Sequence, residues 1–156
     1  MKPEMIAMTR RVGLVVALLA GIDVVARLVV RFALPEGTDP FQAGAWALLA
    51  MVLAVGVVGF RWTRERRVPP VAGDLFWVVL ATTLLVTLAG PFVSGSPAFD
   101  FGFLLSQFGL CAAMLAVGAG GGLLLAVALG LDPASRALKA RAAKVKSKPR
   151  QPGARR

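Results

Sequence analysis

Three uncharged runs, each longer than 20 residues, constrain this chain more than any other feature. Residues 40–60 contain 21 uncharged residues, residues 75–99 contain 25 and residues 101–131 contain 31. A helix needs about 20 apolar residues to cross the ~30 Å hydrocarbon core of a bilayer. Of the 156 residues, 57% are hydrophobic, against roughly 45–50% in soluble domains. We therefore predict an all-α membrane protein.

Turn-forming residues and charges divide the chain into four predicted membrane spans. The last run would extend about 46 Å at 1.5 Å per residue. It must therefore tilt, break at the glycines of residues 118–122, or leave its last turns outside the bilayer. Five spans remain the alternative. The predicted helix caps are Asp39, Asp74 and Asp100, and the predicted spans are residues 12–34, 40–60, 75–94 and 101–131.

Lysine and arginine fall almost entirely on one side of these spans. Sixteen of the 18 basic residues lie in three segments, namely the N-terminus, the 61–67 loop and the C-terminal tail. With four spans, these three segments lie on the same side of the membrane. Basic flanks stay in the cytoplasm, so we predict a four-transmembrane-helix bundle at residues 1–132 with both termini cytoplasmic. The candidates for contact with lipid headgroups or a partner protein are Arg31, Arg61, Arg64, Arg66, Arg67, Arg136, Lys139, Arg141 and Lys144.

The tail, residues 133–156, carries nine basic residues and no acid after Asp132. We predict that it is largely disordered beyond a short helical start. Each basic residue near an anionic bilayer surface contributes about 1 kcal/mol of attraction, so anionic lipid headgroups are the expected partners. No aromatic residue lies among these charges, which gives no support to nucleic-acid binding by base stacking.

The first span carries charges at its centre. Asp23, Arg27 and Arg31 are spaced four residues apart, so they share one helix face. One charge at the bilayer centre costs roughly 2.5–3.5 kcal/mol. An acid four residues before a base is the favourable order for a helical pair. We therefore predict an Asp23–Arg27 ion pair on a face that is turned toward other helices.

Other polar residues match this pair in depth. Thr83 and Thr87 lie near the middle of the third span, and Gln107 lies about 9 Å from the outer end of the fourth, by helical rise. We predict that these five residues meet inside the bundle, and we call them the polar cluster: Asp23, Arg27, Thr83, Thr87 and Gln107.

Small residues recur every fourth position along the last span. This spacing lets two membrane helices approach closely, and packing within the bundle is favoured over a dedicated dimer seam. The predicted packing residues are Gly118, Gly122, Ala126 and Gly130.

The chain has no histidine, no tyrosine and a single cysteine, Cys111. This composition excludes His-ligated haem, His-containing zinc sites, a histidine general base and an internal disulfide. The few hydroxyl and thiol groups within the spans show no nucleophile motif. We therefore expect no enzyme activity, no cofactor and no bound metal.

Two functional hypotheses remain. The first is a non-catalytic accessory or assembly subunit of a larger membrane complex, bound to a protein partner or to copies of itself. The second is a small oligomeric transporter or channel that uses the Asp23–Arg27 pair.

In helix number and in one acid in the first helix, the chain resembles small multidrug-resistance transporters. It lacks the aromatic residues that flank that acid in the family, since Ile22 and Val24 stand beside Asp23. The Ala-, Gly-, Val- and Arg-rich composition favours a bacterial cytoplasmic (inner) membrane.

A third alternative treats residues 1–26 as a cleaved signal peptide, with Arg10-Arg11 as its basic region and Val24-Val25-Ala26 before the cleavage site. The intact mass of the purified protein separates this alternative from a retained first helix. We expect a mass that includes residues 1–26, because their charged face is predicted to pack inside the bundle. A mature chain that begins after Ala26 would contradict the four-helix arrangement.

Overall fold

The structure is a computed structural model that describes residues 3–33, 40–94 and 101–146, with side chains for residues 6–29, 32, 44–93 and 101–143. The described residues form α-helices and no strand. In chain order the helices are α1 (Pro3–Ala33), α2 (Pro40–Glu65), α3 (Val68–Ser94), α4 (Phe101–Ala128) and α5 (Pro133–Lys146). The first four are long and apolar enough to cross a membrane.

Large apolar side chains cover the outside of these four helices. Leu14 is 65% exposed, Leu53 is 62% exposed and Val117 is 70% exposed. Soluble monomers rarely expose continuous apolar patches of this extent, so this surface faces lipid. Leu19 and Leu115 are fully buried in the interior between the helices. The chain is a multi-pass integral membrane protein, and the predicted four-helix bundle is confirmed.

The four membrane helices form a ring in the order α1, α2, α4, α3. The most extensive contacts join α2 to α4 and α1 to α3, while α2 and α3 meet only sparsely across the ring. Three charged parts of the chain gather at one end of the bundle, namely the start of α1, the α2–α3 turn and α5. We call this end the basic end.

Glycines bring α2 and α4 into backbone contact. A Cβ atom on Gly118 would lie 2.6 Å from the Val52 carbonyl oxygen, and one on Gly122 would overlap the Gly56 carbonyl. On the facing helix, a Cβ atom on Gly59 would lie 2.9 Å from the Ala119 carbonyl oxygen. The predicted packing positions Gly118 and Gly122 therefore lie inside the bundle, and Ala126 on the same helix is fully buried.

The fourth predicted packing residue, Gly130, has another role. It follows the end of α4 with a φ of 62°, a left-handed conformation that glycine adopts without steric cost. The Gly130 amide donates to the Val127 carbonyl at 2.8 Å and the Leu131 amide donates to the Ala126 carbonyl at 3.0 Å. These two bonds define a Schellman motif, so Gly130 ends the helix and the packing assignment was wrong. The glycines of residues 118–122 do not break α4.

The α2–α3 connection is shorter than predicted. Helix α2 continues through the first charged residues to Glu65, and α3 begins at Val68, seven residues before the predicted start of the span. Pro69 and Pro70 lie in the first turn of α3, where an N–H has no intrahelical partner in any case. Asp74 consequently lies inside α3 and is not its cap.

Residues 133–146, the part of the tail in which a short helical start was predicted, form helix α5. Asp132 accepts a hydrogen bond from the Ser135 amide at 3.0 Å, which caps the helix start. The hydrogen bonds from Ser135 hold the pKa of the Asp132 carboxyl below its usual range.

Two basic side chains of α5 reach the ends of membrane helices. Arg136 donates to the Arg64 carbonyl near the end of α2, and the Lys139 ammonium lies against Gly130 after α4. Cations are favourable at helix C-termini, which explains how α5 docks with so little apolar contact.

The predicted caps Asp39 and Asp100 and the predicted turn at residues 95–97 lie outside the described residues.

Substitution of Gly122 with alanine should destabilise the protein, because the added Cβ would collide with the backbone of α2. Overpacking of this kind costs about 1–3 kcal/mol. Gly121→Ala is the matched control, since a Cβ at Gly121 meets nothing within 4 Å and alanine is the better helix former. Thermal unfolding in detergent, followed by tryptophan fluorescence, should show a lower Tm for Gly122→Ala only. Equal behaviour of the two variants would contradict the close α2–α4 contact.

Candidate functional site: a buried polar core

The Asp23–Arg27 pair lies on the face of α1 that packs against α3. Arg27 Nε lies 2.7 Å from Asp23 Oδ2, with side-chain exposures of 22% and 10%. The Arg27 guanidinium also lies on the backbone of α3, because a Cβ atom at Gly90 would be 2.7 Å from its Cζ. The pair joins two helices and is shielded from lipid, as charges within a bilayer require.

Three threonine hydroxyls are buried on the neighbouring helix α3. Thr82 and Thr83 are fully buried and Thr87 is 4% exposed. None of the three hydroxyls has a hydrogen-bond partner among the described residues. The Cys111 thiol of α4 lies beside Thr83, but not in hydrogen-bond geometry. An unpaired buried hydroxyl costs about 1–3 kcal/mol, so these groups form a polar region that packing alone does not explain.

Gln107 lies on α4, one helical turn from Cys111, and is only partly buried. The structure thus places Asp23 and Arg27 on the face of α1 that packs against α3, and it buries Thr83 and Thr87 on α3. That Gln107 joins these four residues remains a prediction.

The chemistry open to this core is limited by its size and charge balance. A void of about 10 Å³ lies beside Asp23, between Ala20 of α1 and Gly90 of α3. This volume is close to the minimum for one water molecule. Arg27 already compensates the carboxylate. No group of three or more metal-binding side chains occurs among the described residues.

Arg66 pairs with another residue of the chain, a contact that the sequence did not indicate, and its contact with headgroups remains a prediction. Its Nη1 atom lies 2.7 Å from Asp74 Oδ2, and the two side chains are 25% and 6% exposed. The guanidinium also lies over the Trp62 ring, 4.9 Å from its centre. The reason is the tight α2–α3 turn, which leaves only Arg66 and Arg67 between the helices and brings Asp74 within reach. This buried pair lies at the basic end.

The other predicted headgroup residues whose side chains the structure describes lie at the surface of the basic end, although Arg136 and Lys139 also contact the ends of α2 and α4. Arg61 pairs weakly with Glu65 at 3.5 Å, and Arg64 lies 5.9 Å from the centre of the Phe60 ring. Arg67 and Arg141 are not buried. The side chains of Arg31 and Lys144 lie outside the described residues.

Sequence reasoning missed three contributors to these sites: Gly90, Cys111 and Asp74. Gly90-Pro91 was a visible signal, since a glycine before a proline within an apolar run marks a place where another group approaches the helix. The role of Asp74 had no sequence signal, because it depends on where α3 begins. Cys111 drew attention in the sequence only as the single cysteine, and the structure buries it beside Thr83.

No protein-family model matches this chain, and neither a curated protein nor a solved structure shows significant similarity to it.

Substitution of Asp23 with asparagine should destabilise the bundle, because it leaves the Arg27 charge uncompensated. Loss of one partner of a buried pair costs about 3–5 kcal/mol, and partial exposure of Arg27 places the expected value at the low end. The charge-free double variant Asp23→Leu/Arg27→Met should recover most of the loss. The control is Glu65→Gln, which breaks an exposed pair and should change stability by less than about 1 kcal/mol. Unfolding in detergent measures all three, and equal losses in the single and double variants would argue against a paired charge.

Proposed function

We propose that this protein is a non-catalytic accessory or assembly subunit of a larger membrane complex. The observation that carries the proposal is an open apolar groove of about 750 Å³ between α1 and α2. Its walls are made by Ala17, Gly21 and Val25 of α1 and by Trp46, Ala47 and Ala50 of α2. A groove of this kind suits a transmembrane helix of a partner protein.

The small side chains on the α1 wall support this occupant. A Cβ atom at Gly21 would meet nothing within 4 Å, so the backbone of a second helix has room to approach α1. Small residues at helix interfaces permit this close packing in lipid, where apolar burial by itself provides little driving force. The bundle already uses glycines in this way between α2 and α4.

The state of Asp23 favours an accessory role over transport. A transported cation or proton would need the carboxylate, and Arg27 holds it at 2.7 Å. The space beside it is about 10 Å³, which is too small for a substrate larger than water. The runner-up, a small transporter that uses Asp23, therefore requires Arg27 to leave its partner.

We assign the protein to a bacterial cytoplasmic membrane with both termini inside. Sixteen of the 18 lysines and arginines support this orientation. The exposed basic residues of the basic end then face the anionic inner leaflet.

The test is site-specific photocrosslinking in native membranes. We expect a photoreactive residue at Gly21 to join the chain to one other membrane protein, because Gly21 lines the groove. The control is the same residue at Val117, which is 70% exposed on α4 and should yield lipid adducts alone. Gly21→Leu, which fills the groove, should abolish both the crosslink and co-purification of that partner.

Three outcomes would contradict the proposal in this form, an accessory subunit whose groove binds a helix of a different protein. Lipid adducts alone at Gly21 would show that the groove holds acyl chains. Crosslinks between two copies of the chain would indicate a homo-oligomer. A proton-coupled flux in vesicles that Asp23→Asn abolishes would support the transporter.

A further inference from the structure

The Arg27 guanidinium lies directly on the backbone of α3. A Cβ atom at Gly90 would be 2.7 Å from Nη2 and 2.9 Å from Nη1. Any residue other than glycine would occupy the space that the guanidinium fills. Nε is turned the other way and pairs with Asp23 on α1. The two Nη groups therefore face α3, and together they carry four N–H donors.

Near the Arg27 guanidinium, one backbone carbonyl of α3 lacks its usual helical hydrogen bond. Pro91 lies inside α3 and has no N–H, so the carbonyl of Thr87, four residues earlier, has no helical donor. Thr87 is 4% exposed, and the bilayer core offers no water to replace the donor. Prolines within membrane helices are tolerated where neighbouring groups satisfy the carbonyl that they free. Gly90 lies within the turn that follows Thr87, so the guanidinium is next to this turn.

We propose that Arg27 donates from an Nη group to the Thr87 carbonyl and thereby bridges α1 and α3. The side chain then has one partner on its own helix, the Asp23 carboxylate, and one on the neighbouring helix. Three features that are each unfavourable in a membrane helix, an arginine, a glycine and a proline, become parts of one contact. Gly90 makes room for the guanidinium, Pro91 frees the acceptor, and Asp23 holds the arginine in position.

Pairwise isotope labelling isolates the carbonyl in question. With ¹³C at threonine carbonyls and ¹⁵N at leucine amides, only Thr83-Leu84 and Thr87-Leu88 give directly bonded pairs in this sequence. Solid-state NMR of the protein in lipid bilayers then shows two carbonyl signals. We expect Arg27→Met to move the Thr87 signal to lower chemical shift, as loss of a hydrogen bond does. The Thr83 carbonyl is the internal control, because Thr87 supplies its helical N–H donor, and its signal should stay in place.

Pro91→Ala provides the reciprocal test. Alanine restores an N–H to the Thr87 carbonyl, so Arg27→Met should no longer move the Thr87 signal in that background. The equilibrium constant of unfolding provides a second measurement. Arg27→Met should change this constant less in the Pro91→Ala variant than in the chain that keeps Pro91. The expected difference is on the order of tenfold, typical of residues in direct contact. Because the cost of leaving Asp23 unpaired is the same in both backgrounds, it cancels in this comparison.

A second variant covers the case in which Arg27→Met does not fold. Gly90→Ala keeps the charge pair but displaces the guanidinium from α3, and it should also move the Thr87 signal. Gly109→Ala is its control, because a Cβ there meets nothing within 4 Å. A Thr87 signal that stays in place in both Gly90→Ala and Arg27→Met would overturn the proposal, as would equal shifts of Thr83 and Thr87.

Discussion

The absence of water in the bilayer core is the constraint on which this structure depends. A polar group placed there without a partner in the protein costs several kcal/mol in hydrocarbon, and the three unpaired threonine hydroxyls of α3 carry such a cost. Continuous helices satisfy most of the backbone. Asp23 and Arg27 satisfy each other across one helical turn, and the packing of α1 against α3 shields them from lipid. The same constraint explains why the charged face of α1 is turned inward although most of that helix contacts lipid.

Close backbone packing is the second element of stability. Apolar side chains gain little by leaving lipid for a protein interior, so helix association relies on van der Waals contact at short range. Gly56 on α2 meets Gly118 and Gly122 on α4, and Gly59 lies against Ala119, with no space for a Cβ atom at the tightest points. This pair of helices is therefore joined tightly. The α1–α2 pair, by contrast, leaves a groove open to the membrane, and this difference is the basis of the proposed partner-binding role.

The basic end shows how charge is used outside the hydrocarbon. Arg66 and Asp74 form an ion pair, and the Arg66 guanidinium lies over the Trp62 ring. This pair stabilises the short α2–α3 turn. Arg136 of α5 binds the carbonyl of Arg64. These arginines therefore hold elements together, whereas Arg67 and Arg141 remain at the surface and available to an anionic surface. A count of basic residues predicts the side of the membrane but does not distinguish these two uses.

Features that depend on neighbouring residues along the chain could be predicted from the sequence. Three uncharged runs of more than 20 residues, together with the mostly apolar residues 12–34, predict four spans because the bilayer thickness sets the helix length. The Asp23–Arg27 pair was predictable because residues four apart meet on one helix regardless of what surrounds them. Gly118 and Gly122 could be predicted as packing positions from spacing alone, but their partner Gly56 could not. The sequence did not show which helices are neighbours, that Arg66 meets Asp74 or that Arg27 lies on Gly90; these contacts became known from the packed bundle. Contacts between helices depend on their relative rotation and depth, and a one-dimensional pattern of hydrophobic residues leaves both open.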